Sequence, residues 1–398
     1  MPARMNRIGA ALSTDSSVDA AVVDCAERAM EQLGGETPHV GLLFTTPHHA
    51  SQSIASDVAR RTGLGHLFGC SGESIVGADK EVEGTPGMVL WLAHLPDAVV
   101  SPFRLGVVRN DEGGVEVQGM PGIGQRTAEQ FVADGAAMFI VGDPFSFPVD
   151  AWVRDMNEHF EGLPVLGGIA SGGHAPGQSR LYYGDHVVDD GAVGVLLEGA
   201  RIETIVSRGC RPIGKPMVIT KAHENVIEEV AGRPPLAQLQ SFFDEADEAE
   251  KALIQRAAQG GLQVGQVVDE HISSPSGGDY LVRNVMGADQ ETGSMLISDY
   301  ARVGRTVCFH VRDAEAADED LKEMLAEVSA EGAAGALMFS CNGRGSRLFD
   351  APDHDVGCMR DRFGDLPLAG FFAAGEIGPV GSKNFLHGFT ASIALFLE

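Results

Sequence analysis

Two short polar segments hold the residues best suited to chemistry. The first, Ser340-Cys-Asn-Gly-Arg-Gly-Ser346, follows the apolar run Ala336-Leu-Met-Phe339. A glycine-containing turn after a strand leaves backbone N–H groups pointing outward, which can cradle an anionic group. Arg344 stands between Gly343 and Gly345. Its planar guanidinium can grip a ligand carboxylate through two parallel hydrogen bonds, and the same fork fits an acid of the chain itself. The second segment is Gly370-Phe-Phe-Ala-Ala-Gly-Glu-Ile-Gly-Pro379, in which Glu376 follows an apolar strand and can receive an ammonium group. His387 is the natural third polar group if the two loops converge.

A related loop, Gly69-Cys-Ser-Gly-Glu73, adds Cys70, Ser71 and Glu73 as contributors to the same pocket. Cys70 and Cys341 each follow an apolar strand. They open a second reading, a thiol-dependent hydrolase or amidase with His387 as base. Against it, buried cysteine is a common small core residue, and the position matching Cys70 in the Glu376 loop is alanine, Ala373 or Ala374. The chain has no G-x-S-x-G elbow, no G-x-x-x-x-G-K-[ST], no G-x-G-x-x-G after a strand and no H-E-x-x-H. His48 and His49 are adjacent, so on extended chain they point apart. Neither a metal nor another cofactor is expected, and ligand binding is favoured over catalysis.

The elements that must position these residues follow one plan three times: an apolar strand into a polar loop, a helix, a second buried strand ending in a glycine loop, and a closing strand. The first copy runs from His39–Phe44 through a helix near Ser51–Thr62 and Leu67–Glu73 to Met88–Ala93. The second runs from Ala136–Val141 through a helix over Val149–Phe160 and Leu163–Gly173 to Gly191–Leu197. The third uses Gly335–Ser340, Leu366–Glu376 and Thr390–Phe396. Copies two and three share Leu-Pro-x-x-Gly at Leu163 and Leu366. Ahead of them stand a strand over Arg7–Leu12 and a helix capped by Ser16 or Ser17.

Near-continuous apolar strands alternating with amphipathic helices imply an α/β (α+β mixed) fold, with mixed sheets flanked by helices. Lys221–Gly260 carries helices, one over Pro234–Phe243 and then an acidic one through Ile254. Pro234-Pro235 marks a boundary between domains 1–233 and 234–398. Beyond it, Gly261–His271, Tyr280–Met286, Ser294–Asp299 and Thr306–Val311 read as four strands, with a turn at Ser274–Gly278 and then a helix over Asp318–Ala330.

Charge and cysteine usage narrow the partners. A net charge of −27 repels phosphate backbones and anionic lipid. The one dense acidic cluster, Asp244–Glu250, reads as a solvated helix face. The 6 cysteines form no C-x-x-C pair, which suits reduced thiols. No apolar run reaches the ~18 residues of a membrane span and the N-terminus lacks a signal-peptide pattern, so a cytoplasmic location is expected.

In order along the chain, Phe68-Gly-Cys-Ser-Gly-Glu73, Ile75-Val-Gly77, Gly142-Asp-Pro-Phe145, Leu166-Gly-Gly168, Gly172-Gly173 and Gly209-Cys-Arg-Pro-Ile-Gly214 resemble the N-terminal domain of FIST proteins. Ser340–Gly345, Gly370–Pro379 and Leu386-His387 resemble their C-terminal domain. The resemblance implies an intracellular sensor of small ligands, amino acids or similar zwitterions and carboxylates among them. Arg344 and Glu376 would complement a zwitterion's two charges. With all 398 residues assigned to the sensory region, signal output is expected to pass through a partner protein or a rearranged homo-oligomer.

Overall fold

The computed structural model describes residues 5–109, 115–120, 127–257, 261–268, 270–272 and 279–398. It contains two compact units. The first comprises Met1–Ser207, Leu321–Leu386 and Thr390–Glu398, and the second Arg208–Asp320 with His387–Phe389.

The first unit is built from three mixed sheets, one per sequence copy. Each has a parallel pair at its heart: Val40–Thr45 with Leu67–Ser71, Ala137–Gly142 with Val165–Ile169, and Ala333–Cys341 with Leu368–Ala373. All but the ends of the third pair's first strand are buried along their length, which is why these strands read as unbroken apolar runs. The closing strands Met88–His94, Ala192–Glu198 and Thr390–Leu397 then add antiparallel to the first member of each pair. The mixed α/β architecture and its threefold repetition are thus as the sequence indicates.

The sheets are interlocked by exchange. The hairpin Ser74–Val76/Glu81–Glu83 of the first copy joins the third copy's sheet, pairing Val76 with Gly370 and Ile75 with Phe371. The second copy's Leu181–Tyr183 joins the first sheet against Phe68–Cys70. The third copy's Glu376–Val380 joins the second sheet, where Ile377 and Glu376 face Gly167 and Gly168. The three donations close a ring. At its centre the sheets share one core, in which Phe44, Phe339 and Phe371 lie with ring centroids 5.1–6.3 Å apart. Such aromatic pairs contribute about 0.5–1.5 kcal/mol each beyond the area they bury.

Helices cover the outer faces. Val18–Gln32 starts on Ser17, whose side chain accepts from Ala20 N, and buries Ala21, Val22, Cys25, Ala26 and Ala29. Ile54–Thr62 ends at Gly63 in the left-handed conformation. Val149–His159 and His354–Phe363 flank the other two sheets.

The second unit is a closed six-stranded barrel in the order Cys210–His223, Val226–Val230, Met295–Ile297, Tyr280–Ala288, Leu262–Val267 and Thr306–Arg312. Its interior holds Ile219, Ile227, Val264, Val307 and Phe309. Two expectations change here. The start of the segment expected to carry helices is instead strand, up to His223 and again over Val226–Val230, because closure of the barrel pairs Val226–Val230 with strands on both sides. The two expected helices follow at Pro235–Glu245 and Glu248–Arg256, with Pro235 in a first turn where its missing N–H costs nothing. The helix expected over Asp318–Ala330 spans Ala314–Glu327, with Asp313 accepting from Ala316 N at its start. The expected turn Ser274–Gly278 lies outside the described residues.

Candidate functional site

In the third copy the chain leaves Cys341, turns tightly as Arg344 N donates to Cys341 O at 2.8 Å, and enters a short 3₁₀ turn at Gly345–Arg347. Gly345 has φ +59°, and a Cβ there would stand 2.8 Å from both Glu83 Oε1 and the Phe372 ring. Only glycine fits.

Arg344 is fully buried, and its fork is filled from within the chain. Nε and Nη2 donate to the two oxygens of Asp355 at 2.7 and 2.8 Å. Ser340 Oγ donates to Asp355 Oδ2 at 3.1 Å, and His354 Nδ1 lies 3.0 Å from Oδ1. Burial by itself would raise the Asp355 carboxyl, but the charge and hydrogen bonds of Arg344, with those of His354, hold it below the usual carboxylate range. Arg344 therefore shapes the loop. A partner acid supplied by the chain, one of the two possibilities open from the sequence, is the one realised.

Around this pair the first copy supplies three glutamates. Glu81 Oε1 accepts from the N–H groups of Asp355 and Val356, capping the helix His354–Phe363 from a distant segment. In return Asp353, in the left-handed region at φ +60°, accepts from Glu81 N at 2.7 Å. Burial, and then the charge of Asp355, push Glu81 up to about 8. Glu83 accepts from Ser346 N and Oγ, and Glu73 pairs with Arg347 at the surface. The loop is thus fastened to the hairpin that the first copy donates.

Glu376 is fully buried at the start of the third copy's donated strand. Thr390 donates to its Oε2 from N and Oγ1 at 3.2 and 2.9 Å, while Oε1 makes no hydrogen bond to the described residues. Burial lifts this carboxyl to about 8, against the pull of Thr390 and of a hydrogen bond with the Cys341 side chain. At neutral pH it is a neutral acid. Cys341, Asn342 and Gly343 are half-buried, and Asn342 Oδ1 is a second buried oxygen with no hydrogen bond to the described residues.

The remaining sequence candidates divide. Cys70 is fully buried, and burial drives its thiol well above the ordinary value. Ser71 is buried and accepts from Arg180 N at 3.0 Å. Glu73 donates its N–H to Ser171 Oγ at 2.8 Å and turns its carboxylate to Arg347. His387 is 5% exposed and groups with the barrel unit. His49 is buried on the carbonyl of Asp15, and His48 is exposed. Sequence reasoning missed Asp355, Glu81 and Thr390. Of these only Asp355, eleven positions after Arg344, is close enough in sequence to have been proposed as a partner.

The order of these motifs agrees with two family models: the FIST N domain matches residues 39–233 and the FIST C domain residues 236–379. The chain belongs to the FIST family. FIST domains are associated with signal transduction and sensing. A relative in Mycobacterium tuberculosis strain H37Rv, the uncharacterized protein Rv0628c, is 41% identical over 397 residues, covering 98% of this chain and 100% of its own. A second, Mb0898c of Mycobacterium bovis, is 39% identical and covers 98% and 99%. No helix of the described FIST structure is long and apolar enough to cross a membrane.

Proposed function

We propose that this FIST protein is a cytoplasmic sensor of a small zwitterion or carboxylate of the amino-acid kind, and that it signals through a partner protein. The ligand group is read by the segment Ser340–Gly345 with Glu376. The observation that carries this reading is the pair of buried oxygens, Asn342 Oδ1 and Glu376 Oε1, that make no hydrogen bond to the described residues. Buried acceptors left unmade cost about 1–3 kcal/mol each. An ammonium group supplies the missing donors. It also favours ionised Glu376, so binding releases a proton that the empty site holds at neutral pH. The thiol-hydrolase alternative draws nothing from Cys70, which is sealed in the core.

A thermal-shift screen against amino acids, followed by calorimetry in two buffers of different ionisation enthalpy, tests the reading. At 100 times its dissociation constant a ligand adds about 2.7 kcal/mol to stability. Proton release and tighter binding as pH rises toward 8 are expected, with loss of binding in Asn342→Ala and Glu376→Gln. A hit indifferent to both substitutions, or no shift with any amino acid, would sink the proposal.

A further inference from the structure

We propose that a cleft on the barrel unit docks a segment of a partner protein in which a large apolar side chain is flanked by arginine or lysine, an inference that rests on the reading that this chain signals through a partner. The cleft begins in the strand Cys210–His223, which shifts register against Thr306–Arg312 between Ile213 and Met217. A bulge of this kind interrupts the ladder and bends the strand. The helices Pro235–Glu245 and Glu248–Arg256 supply the other sides of a space of about 260 Å³. Its floor is Ile213 and Ile254, both buried, and its wall is Phe242 and Ala246, both half-buried. Gly214 has φ +72°, and a Cβ there would stand 2.5 Å from the Phe242 ring, so only glycine lets the ring lie against the strand. The volume falls below the roughly 300–1,000 Å³ of small-molecule pockets and suits a single large side chain.

Charge selects the occupant. The exposed rim consists of Glu245, Glu250 and Lys215, and none of these three side chains is held in an ion pair with the described residues. The acidic run Asp244–Glu250, expected as one solvated helix face, is split between two helices. Asp244 and Glu245 close the first, whose last turn has no basic residue, and Asp247 caps the second. Acids at a helix C-terminus oppose its dipole, so Asp244 and Glu245 weaken the helix and deepen the negative potential at the rim. An apolar recess with a mainly acidic rim complements an apolar anchor set between cations.

Fluorescence anisotropy of the full-length chain tests this with short labelled peptides carrying a central phenylalanine or leucine between arginines. These are expected to bind at least about ten-fold more tightly than counterparts with alanine at the centre or glutamate in place of arginine. The double variant Glu245→Lys with Glu250→Lys, and separately Ala246→Leu, which fills the cleft, should each weaken binding about ten-fold or more. Glu327→Lys removes an exposed acid outside the lining and should leave the affinity within about two-fold. Binding that ignores the central residue, survives the cleft variants or falls equally in Glu327→Lys reports net charge alone and overturns the proposal, as does no binding of any arginine peptide. A dimer in sedimentation that Ala246→Leu abolishes overturns it in favour of a second copy of the chain. The titrations contain no amino acid, so their failure leaves ligand sensing standing, and a failed ligand screen leaves the cleft standing.

Discussion

Arg344 and Asp355, both buried, meet through two parallel hydrogen bonds of 2.7 and 2.8 Å at the foot of the loop that carries Cys341 and Asn342. Removing either partner strands a charge out of water, which costs about 3–5 kcal/mol. Arg344→Ala and Asp355→Ala are each expected to lower the urea midpoint by that much stability. The paired apolar replacement, Arg344→Met with Asp355→Leu, should cost less than either single change. Single variants within about 1 kcal/mol of the parent would contradict the assignment of this pair as the loop's anchor.

The neighbouring Glu73–Arg347 pair has half-exposed side chains, 35% and 54% accessible. Exposed ion pairs contribute about 0–1 kcal/mol. Arg347→Ala should therefore unfold at nearly the parental urea concentration, and a loss as large as that of Arg344→Ala would show that solvent does not screen the pair.

Glu376 and Glu81 make stability depend on pH with a definite sign. Both are lifted from 4.5 to about 8 in the folded chain, so the folded state keeps protons that the unfolded state gives up. Their contribution is complete below pH 4.5 and is lost as pH rises through 8. His310 acts oppositely. Burial pushes it from 6.5 down to about 4, so its contribution is complete above 6.5 and is lost as pH falls toward 4. Between pH 6.5 and 8 the slope contributed by these three groups belongs to the glutamates. Tm should fall across that interval, and Glu376→Gln should flatten the decline by up to ~1.4 kcal/mol per pH unit. An identical pH profile in the variant would show that Glu376 ionises freely.

Much of the fold was legible because its signals are local. The runs Val40–Thr45, Ala137–Gly142 and Leu368–Ala373 are buried from end to end, and continuous apolar strands followed by glycine loops mark themselves in sequence. The exchange of hairpins was not legible. Ser74–Val76, Glu81–Glu83 and Leu181–Tyr183 are three residues each, too short for periodicity, and their partners lie far along the chain. The same non-locality hid Glu81, which caps a helix 274 positions away. Val226–Val230 was misread because barrel closure overrides the weak preference of Val-Ile-Glu-Glu-Val. In the site, residue types pointed to Arg344 and Glu376, but their protonation and pairing depend on burial that no local pattern encodes.

Gly69, Gly167 and Gly370 occupy one position in three copies, each on the second strand of a parallel pair, so the residue matching Cys70 is Phe371 and not the Ala373 or Ala374 expected from the sequence. A Cβ on them would stand 1.9, 1.8 and 1.7 Å from the carbonyl oxygens of Leu43, Ile140 and Met338. Backbone cannot yield as the end of a side chain can, so the strands would have to separate where the central core and the donated hairpins meet. Gly69 and Gly167 also have φ of +147° and +140°, which adds backbone strain. Each alanine substitution should reach or exceed the ~1–3 kcal/mol typical of overpacking. Gly63, with φ +68° and nothing near its missing Cβ, supplies the contrast: Gly63→Ala carries conformational strain alone, about 1–2 kcal/mol. Urea unfolding of the four variants measures the difference. If Gly370→Ala proves no worse than Gly63→Ala, the close approach of Gly370 to Met338 does not hold the parallel pair together, and the repeated glycine reflects only shared ancestry of the copies.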